Sequence, residues 1–174
     1  MATKKPYERR TDAEKVFDNW TKTLGLFERG EYSVAIVRAA ISMELAANLV
    51  VRAELLTNRS LPADFVGHLL KRANGLTGKF ENLIYPILKG SPRYQSLKAL
   101  STDWRWVNKE RNSVVHSGQF KNKKTAEKAL SLARKAVIRM VAAYDPSFRL
   151  GKTKSKHLML RSAAQSPTAA AKVH

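Results

Sequence analysis

Arg111 and His116 are the two side chains with the clearest capacity for chemistry on a phosphate. They sit five residues apart in Arg111-Asn112-Ser113-Val114-Val115-His116. The guanidinium is permanently charged and can stabilise charge that develops on a phosphoryl group. An imidazole is the side chain most suited to proton transfer near neutral pH. RNA carries its own nucleophile, the 2′-hydroxyl, so a fixed cation and a proton-transfer group are enough in principle to cleave it, without metal or covalent intermediate. Lys121, Lys123 and Lys124 follow closely and add charge for phosphate binding. One histidine cannot easily be base and acid in the same turnover, so a site assembled from two protomers suits this chemistry.

The same residues also admit a structural reading. Trp104 and Val107 precede Arg111 at helical spacing, and Val114 and Val115 continue that stripe. An arginine on such a stripe can bury its stem and extend its head to water. His116 stands just before Ser117-Gly118, a helix stop, where a cation is well placed against the negative end of the helix dipole.

The elements that must position this stretch read as helices throughout, so the fold class is all-α. Thr11-Asp12-Ala13-Glu14 has the form of a capping box, and Phe17, Trp20, Leu24 and Phe27 recur at helical spacing before Gly30. The longest helix is predicted from about residue 31 to 56, with Ile36, Ala39, Ala40, Met43, Ala47 and Val50 on one face. Its alanines predict close approach of a neighbouring helix. Glu44, Asn48 and Arg52 form a polar line at spacing four, which also fits an exposed ladder of weak pairs.

Pro62 suits the first turn of a third helix with Phe65, Val66, Leu69 and Leu70 inward. Asn74-Gly75 and Gly78 interrupt the pattern before Phe80 to Leu88 resume it, and Pro86 predicts a bend. Pro92 to about His116 is helical, with a break expected at residues 101–103. Thr125 is expected to cap a last helix with Ala126, Leu130, Ala133, Val137, Met140, Val141 and Tyr144 on one face. Residues 1–10 read as a flexible basic arm, 11–146 as the helical domain, and 147–174 as a disordered basic tail with six Lys or Arg and no acid.

Lys and Arg number 32 against 14 Asp and Glu, a formal net charge of +18 over 174 residues. A field of that sign attracts polyanions, nucleic acid first and an anionic membrane surface second. There is no cysteine, which excludes disulfides, thiolate metal sites and cysteine nucleophiles. No apolar leader and no run of membrane-spanning length is read from the sequence, so a cytoplasmic location with no membrane partner is expected. The four histidines show no metal-ligand spacing, and Gly75-Leu76-Thr77-Gly78-Lys79 lacks the full spacing of a phosphate loop. No metal or other cofactor is expected.

The segment Arg111 to His116 resembles the Arg-x4-6-His motif of the HEPN superfamily, small all-α domains common in prokaryotic toxin–antitoxin and phage-defence systems. Asn112 after the Arg, and Ser117 and Gly118 after the His, fit that pattern. Residues 32–56, containing Ala35-Ile36-Val37-Arg38-Ala39-Ala40-Ile41-Ser42-Met43-Glu44-Leu45, are similar to the family's early long helix with an embedded Glu. The helix from Thr125 to Tyr144 looks like its last core helix, so the likeness covers roughly residues 12–145.

The resemblance implies an up-down bundle of about five to six helices that pairs into a homodimer through the motif face. It implies a metal-independent endoribonuclease with His116 as acid/base residue, Arg111 as phosphate-binding cation and Asn112 as a positioning group. Glu44 would support the site as the buried partner that Arg111 needs. An antitoxin or defence partner protein belongs to the same expectation. One family subset carries Tyr two residues after the His; here that position is Gly118. Other members bind RNA or nucleotide without cutting it, and a non-catalytic RNA- or nucleotide-binding helical module is the alternative reading.

Overall fold

Thr11 opens the first helix as its capping box requires. Its hydroxyl accepts from the Glu14 N–H, and its own N–H donates to Glu14 Oε2 at 2.6 Å. That backbone bond, with Lys5 beside it, holds the Glu14 carboxyl below its ordinary pKa. The computed structural model describes residues 5–152, and these form an all-α bundle, 77% helical. Among the described residues there is no strand.

Helix α1 spans Asp12–Glu28 and turns Val16, Trp20, Thr23 and Phe27 inward, a spacing of four, three and four. Phe17, expected inward, falls one position off that stripe and is 50% exposed. Helix α2 spans Tyr32–Arg52 and continues through a π-helical turn, Ala53–Thr57. It is the central element, packed against α1 and against the two C-terminal helices. It buries Ala35, Ala39, Ala40, Ala46 and Ala47, and the last helix, α8, Lys123–Ala142, which packs on it, buries Ala126, Ala129, Ala133 and Ala136. Small side chains on both faces let the two backbones approach closely. By length and hydropathy Tyr32–Thr57 would also suffice to cross a membrane, contrary to the reading of the sequence. In this fold 56% of its most apolar window is buried inside the bundle.

Between α2 and the motif helix lies a layer of short elements. Helix α3, Ala63–Arg72, buries Val66 and Leu70, while Phe65 is 52% exposed rather than inward. Helix α4, Gly75–Lys79, runs through a π-helical turn, Phe80–Ile84, into α5, Tyr85–Leu88. Pro86 has no N–H for the carbonyl four residues back, and the wider turn just before it accommodates that loss. Helix α6, Pro92–Lys98, is capped by Ser91; the break to α7, Ser101–Ser117, falls at residues 99–100, slightly earlier than expected. Asn122, not Thr125, caps α8: its side chain accepts from the Thr125 N–H at 2.9 Å.

The glycine-lysine run at 75–79 has a packing role. A Cβ on Gly78 would lie 2.9 Å from the Ala73 carbonyl carbon, a backbone atom that cannot yield. Lys79 is buried and donates from Nζ to the carbonyl of Ala73 at 3.0 Å, at the C-terminal end of α3. Gly78→Ala is therefore expected to lower stability by about 1–3 kcal/mol, the usual range for overpacking. A denaturant midpoint compared with that of Gly67→Ala, where a Cβ meets open space, checks it.

Consecutive long helices run antiparallel. Arg52 near the end of α2 pairs with Asp12 at the start of α1 at 2.8 Å, and Lys135 of α8 pairs with Asp103 near the start of α7 at 2.7 Å. The packed chain continues past residue 146: Phe148 and Leu150 are buried, and Trp20 Nε1 donates to the Gly151 carbonyl at 3.0 Å. At the other end Arg10 of the basic arm is tied to Asp18 at 2.8 Å. Leu158-Met159-Leu160 and the rest of the tail from residue 153 lie outside the described residues.

Candidate functional site

Helix α7 changes character half-way along. Trp104 and Val107 are fully buried, and Trp104 stacks on Phe80 at 4.8 Å and donates to the Tyr85 hydroxyl at 3.1 Å. The α4–α5 layer covers only this first half. One turn further on, the same side of the helix carries Arg111, which is half-buried. Val114 is half-buried and Val115 is 48% exposed, so the apolar stripe read from the sequence does not continue as core.

Arg111 does not find the partner expected of it. Glu44 makes no hydrogen bond or ion pair with it. The charge Glu44 acts on is that of Lys79: burial pushes the Lys79 pKa down, Glu44 draws it back up and Arg52 opposes that. Arg111 Nη1 instead donates to Asn112 Oδ1 at 2.9 Å, while its Nε is buried with no partner among the described residues.

Helical geometry gives that bond its meaning. Side chains five positions apart leave a helix about 140° from one another, so Arg111 and His116 start from different sides of α7. Asn112 lies between them, about 100° from Arg111 and about 40° from His116. By accepting from Nη1 it holds that end of the guanidinium on its own side of the helix, while Nε stays buried. His116 is exposed in the last turn, just before Gly118, whose φ of 60° gives the left-handed C-cap that ends the helix. The imidazole is in open solvent there.

The three lysines differ in what they can offer. Lys121 is engaged internally: its Nζ pairs with Glu110 at 2.8 Å, both side chains largely buried, and its N–H donates to Ser33 Oγ at 2.8 Å. Lys123 lies 3.8 Å from Glu127, and both are about half exposed. Lys124 is exposed, with no acid partner among the described residues. Two lysines thus open α8 where a helix dipole favours negative charge, and its first turn holds no acid.

Several residues near the motif were not singled out from the sequence. Arg105, Lys109, Asn112 and His116 follow each other at spacings of four, three and four, one side of α7. Arg105 is ion-paired with Glu81, whereas Lys109 is exposed and unpaired among the described residues. Thr77, Asn108, Lys109 and Asn112 line an open groove of about 620 Å³ whose base is Trp104. The signal was available as a charge-bearing helical period, but the apolar period of the same helix is the one that sequence reading follows.

A second feature adjoins the site. Among the large apolar side chains exposed to solvent are Val34 and Ile41, seven apart on α2, Val115 on α7 and Phe120 in the α7–α8 loop, the last 95% exposed. The Lys121–Ser33 bond ties that loop to the first turn of α2. Among the described residues no cluster of His, Asp and Glu could hold a metal ion.

Fold and site together define an all-α bundle whose penultimate long helix ends in an arginine held by its neighbouring asparagine and an exposed histidine. Compared with known proteins, the chain matches no family model, no curated protein and no solved structure.

Proposed function

We propose that this chain is a metal-independent endoribonuclease of the HEPN type, cleaving RNA by attack of a 2′-hydroxyl on the adjacent phosphate. The observation that carries the reading is the 2.9 Å bond from Arg111 to Asn112, which holds a fixed cation against the residue one turn before His116, exposed and without a partner among the described residues. In the reaction His116 takes the 2′-hydroxyl proton as the new O–P bond forms. Arg111 stabilises the charge on the non-bridging oxygens, and the 5′-oxygen leaves with a proton supplied by an acid. The products are a 2′,3′-cyclic phosphate and a 5′-hydroxyl.

The acid and the base are two groups, and one protomer supplies one His116. A homodimer across the uncovered α2–α7 side supplies the second. Val34, Ile41, Val115 and Phe120 give that side the apolar character of an interface that excludes water around polar groups. Ile41→Glu with Phe120→Asp is expected to convert a dimer to a monomer in sedimentation and to lower cleavage in parallel.

The direct test is cleavage of total cellular RNA and of transfer RNA by the purified chain in excess EDTA, with the new ends identified. Cyclic phosphate ends formed in EDTA are the expected result. Tight RNA binding with no cutting under any condition would replace this reading with the non-catalytic RNA-binding module.

A further inference from the structure

We propose that the outer face of α7 and α8 is a track for the phosphate backbone of the RNA strand, leading to His116. The face carries Lys109 on α7 and Lys124, Lys128 and Arg139 on α8, all exposed and none ion-paired among the described residues. On α8 the cations at 124, 128, 135 and 139 recur at helical spacing, a ridge about 22 Å long. Lys128 Nζ stands 4.3 Å over the Trp106 ring, which fixes one cation between the two helices. Lys135 answers Asp103, and Glu127 lies nearest Lys123, so the acids on this face leave the other four charges uncompensated. The loop 118–122 joins the two helices at the His116 end, which gives the ridge a direction.

A row of like charges held on one side costs repulsion, and a chain of phosphates relieves it. A lipid surface would be met by apolar side chains projecting from the same ridge. The large exposed apolar residues, Tyr7, Phe17, Val34, Ile41, Phe65, Val115 and Phe120, include none on α8. The inference rests on RNA as the substrate and does not require that the RNA be cut.

The test measures affinity of a 2′-O-methyl RNA oligonucleotide, which lacks the attacking hydroxyl, for the full chain across a salt series. The triple variant Lys109→Gln, Lys128→Gln, Arg139→Gln is expected to bind at least about tenfold more weakly at low salt. Its log–log salt slope is expected to be shallower by roughly 2, three contacts at about 0.7 each. The charge-matched variant Lys22→Gln, Lys71→Gln, Lys89→Gln, exposed residues on other faces, is expected to change affinity less than about threefold. Lys109→Arg with Lys128→Arg should retain binding. Equal losses in the two Gln triples would overturn the track, leaving only a diffuse field. So would binding to anionic phosphatidylserine vesicles with none to RNA. If the ridge triple alone loses affinity while wild type cuts no RNA, the ribonuclease reading falls and the track stands.

Discussion

His116→Ala is expected to reduce EDTA-resistant RNA cleavage by about 10²–10⁴-fold, the usual contribution of a proton-transfer group. Its unfolding midpoint should stay with that of wild type, because the imidazole is exposed and has no partner among the described residues. Arg111→Ala is expected to cost about 10²–10³-fold, as loss of a donor to developing charge does elsewhere. Arg111 lies on the core-facing side of α7, so Arg111→Met, which keeps the apolar stem, separates lost charge from lost packing. Arg111→Lys should recover only part of the rate, since an ammonium on a shorter reach cannot both meet Asn112 and present a planar fork to phosphate. Asn112→Ala should fall between wild type and these variants, near tenfold, because its carboxamide holds the guanidinium and does not react. Single-turnover cleavage of one mapped site, beside melting curves, checks the whole series. His116→Ala cutting at the wild-type rate would sink the catalytic assignment.

Glu54→Ala is expected to destabilise the bundle by about 1–3 kcal/mol, the scale for leaving a buried hydrogen-bonding group without its partner, since the two arginines it pairs with are 43% and 45% exposed. Glu54 is 6% exposed in the π-helical turn after α2. It accepts from Tyr144 at 2.7 Å, Arg93 at 2.7 Å and Arg59 at 3.0 Å. One carboxylate thus ties the end of α2 to α6, to the loop after α2 and to the segment after α8. Removal leaves Arg93 and the largely buried Tyr144 hydroxyl without this acceptor, while Arg59 keeps the backbone carbonyls of Glu54 and Ile87. Burial raises the Tyr144 pKa, and the bond to Glu54 raises it further, so the phenol stays protonated as the donor.

Burial alone would push the Glu54 carboxyl up, but bonds from Tyr144, Asn58, Arg59 and Arg93 outweigh it and hold the pKa below 4.5. A carboxyl with a depressed folded pKa contributes stability that is fully present above its unfolded value. That contribution is lost as pH falls through the folded one. Wild type should therefore lose stability below about pH 4.5, and Glu54→Gln should show a flatter acid limb from a lower plateau; urea midpoints across that range check both. Counted along α2 from Ser33, Glu54 lies roughly 30 Å from the motif end, so RNA cleavage by folded Glu54→Gln should be unchanged.

Much of the frame was legible before any coordinates. The Thr11–Glu14 capping box, the alanine face of α2 and the all-α class follow from local preferences and one-face periodicity, which act within a few residues. Errors arose where a neighbour decides. Phe17 and Phe65 share the spacing of their buried neighbours but sit at the edge of a stripe, where the width of the packed face settles exposure. Val115 continues the period of Trp104 and Val107, yet the layer that covers those two ends before reaching it. Lys121 reads as a free cation until Glu110 is brought against it.

The sequence by itself determined that α7 carries an arginine, an asparagine and a histidine at fixed angles around one helix, because helical geometry sets those angles. It also determined the net charge and thus the sign of any long-range partner. Only the tertiary structure decided that Glu44 makes no bond to Arg111 and that Arg111 is left to Asn112. It likewise decided that the unpaired cations gather on the outer face of α7 and α8. Which charge meets which depends on how separate helices pack, and a desolvated pairing is settled across those contacts, not along the chain.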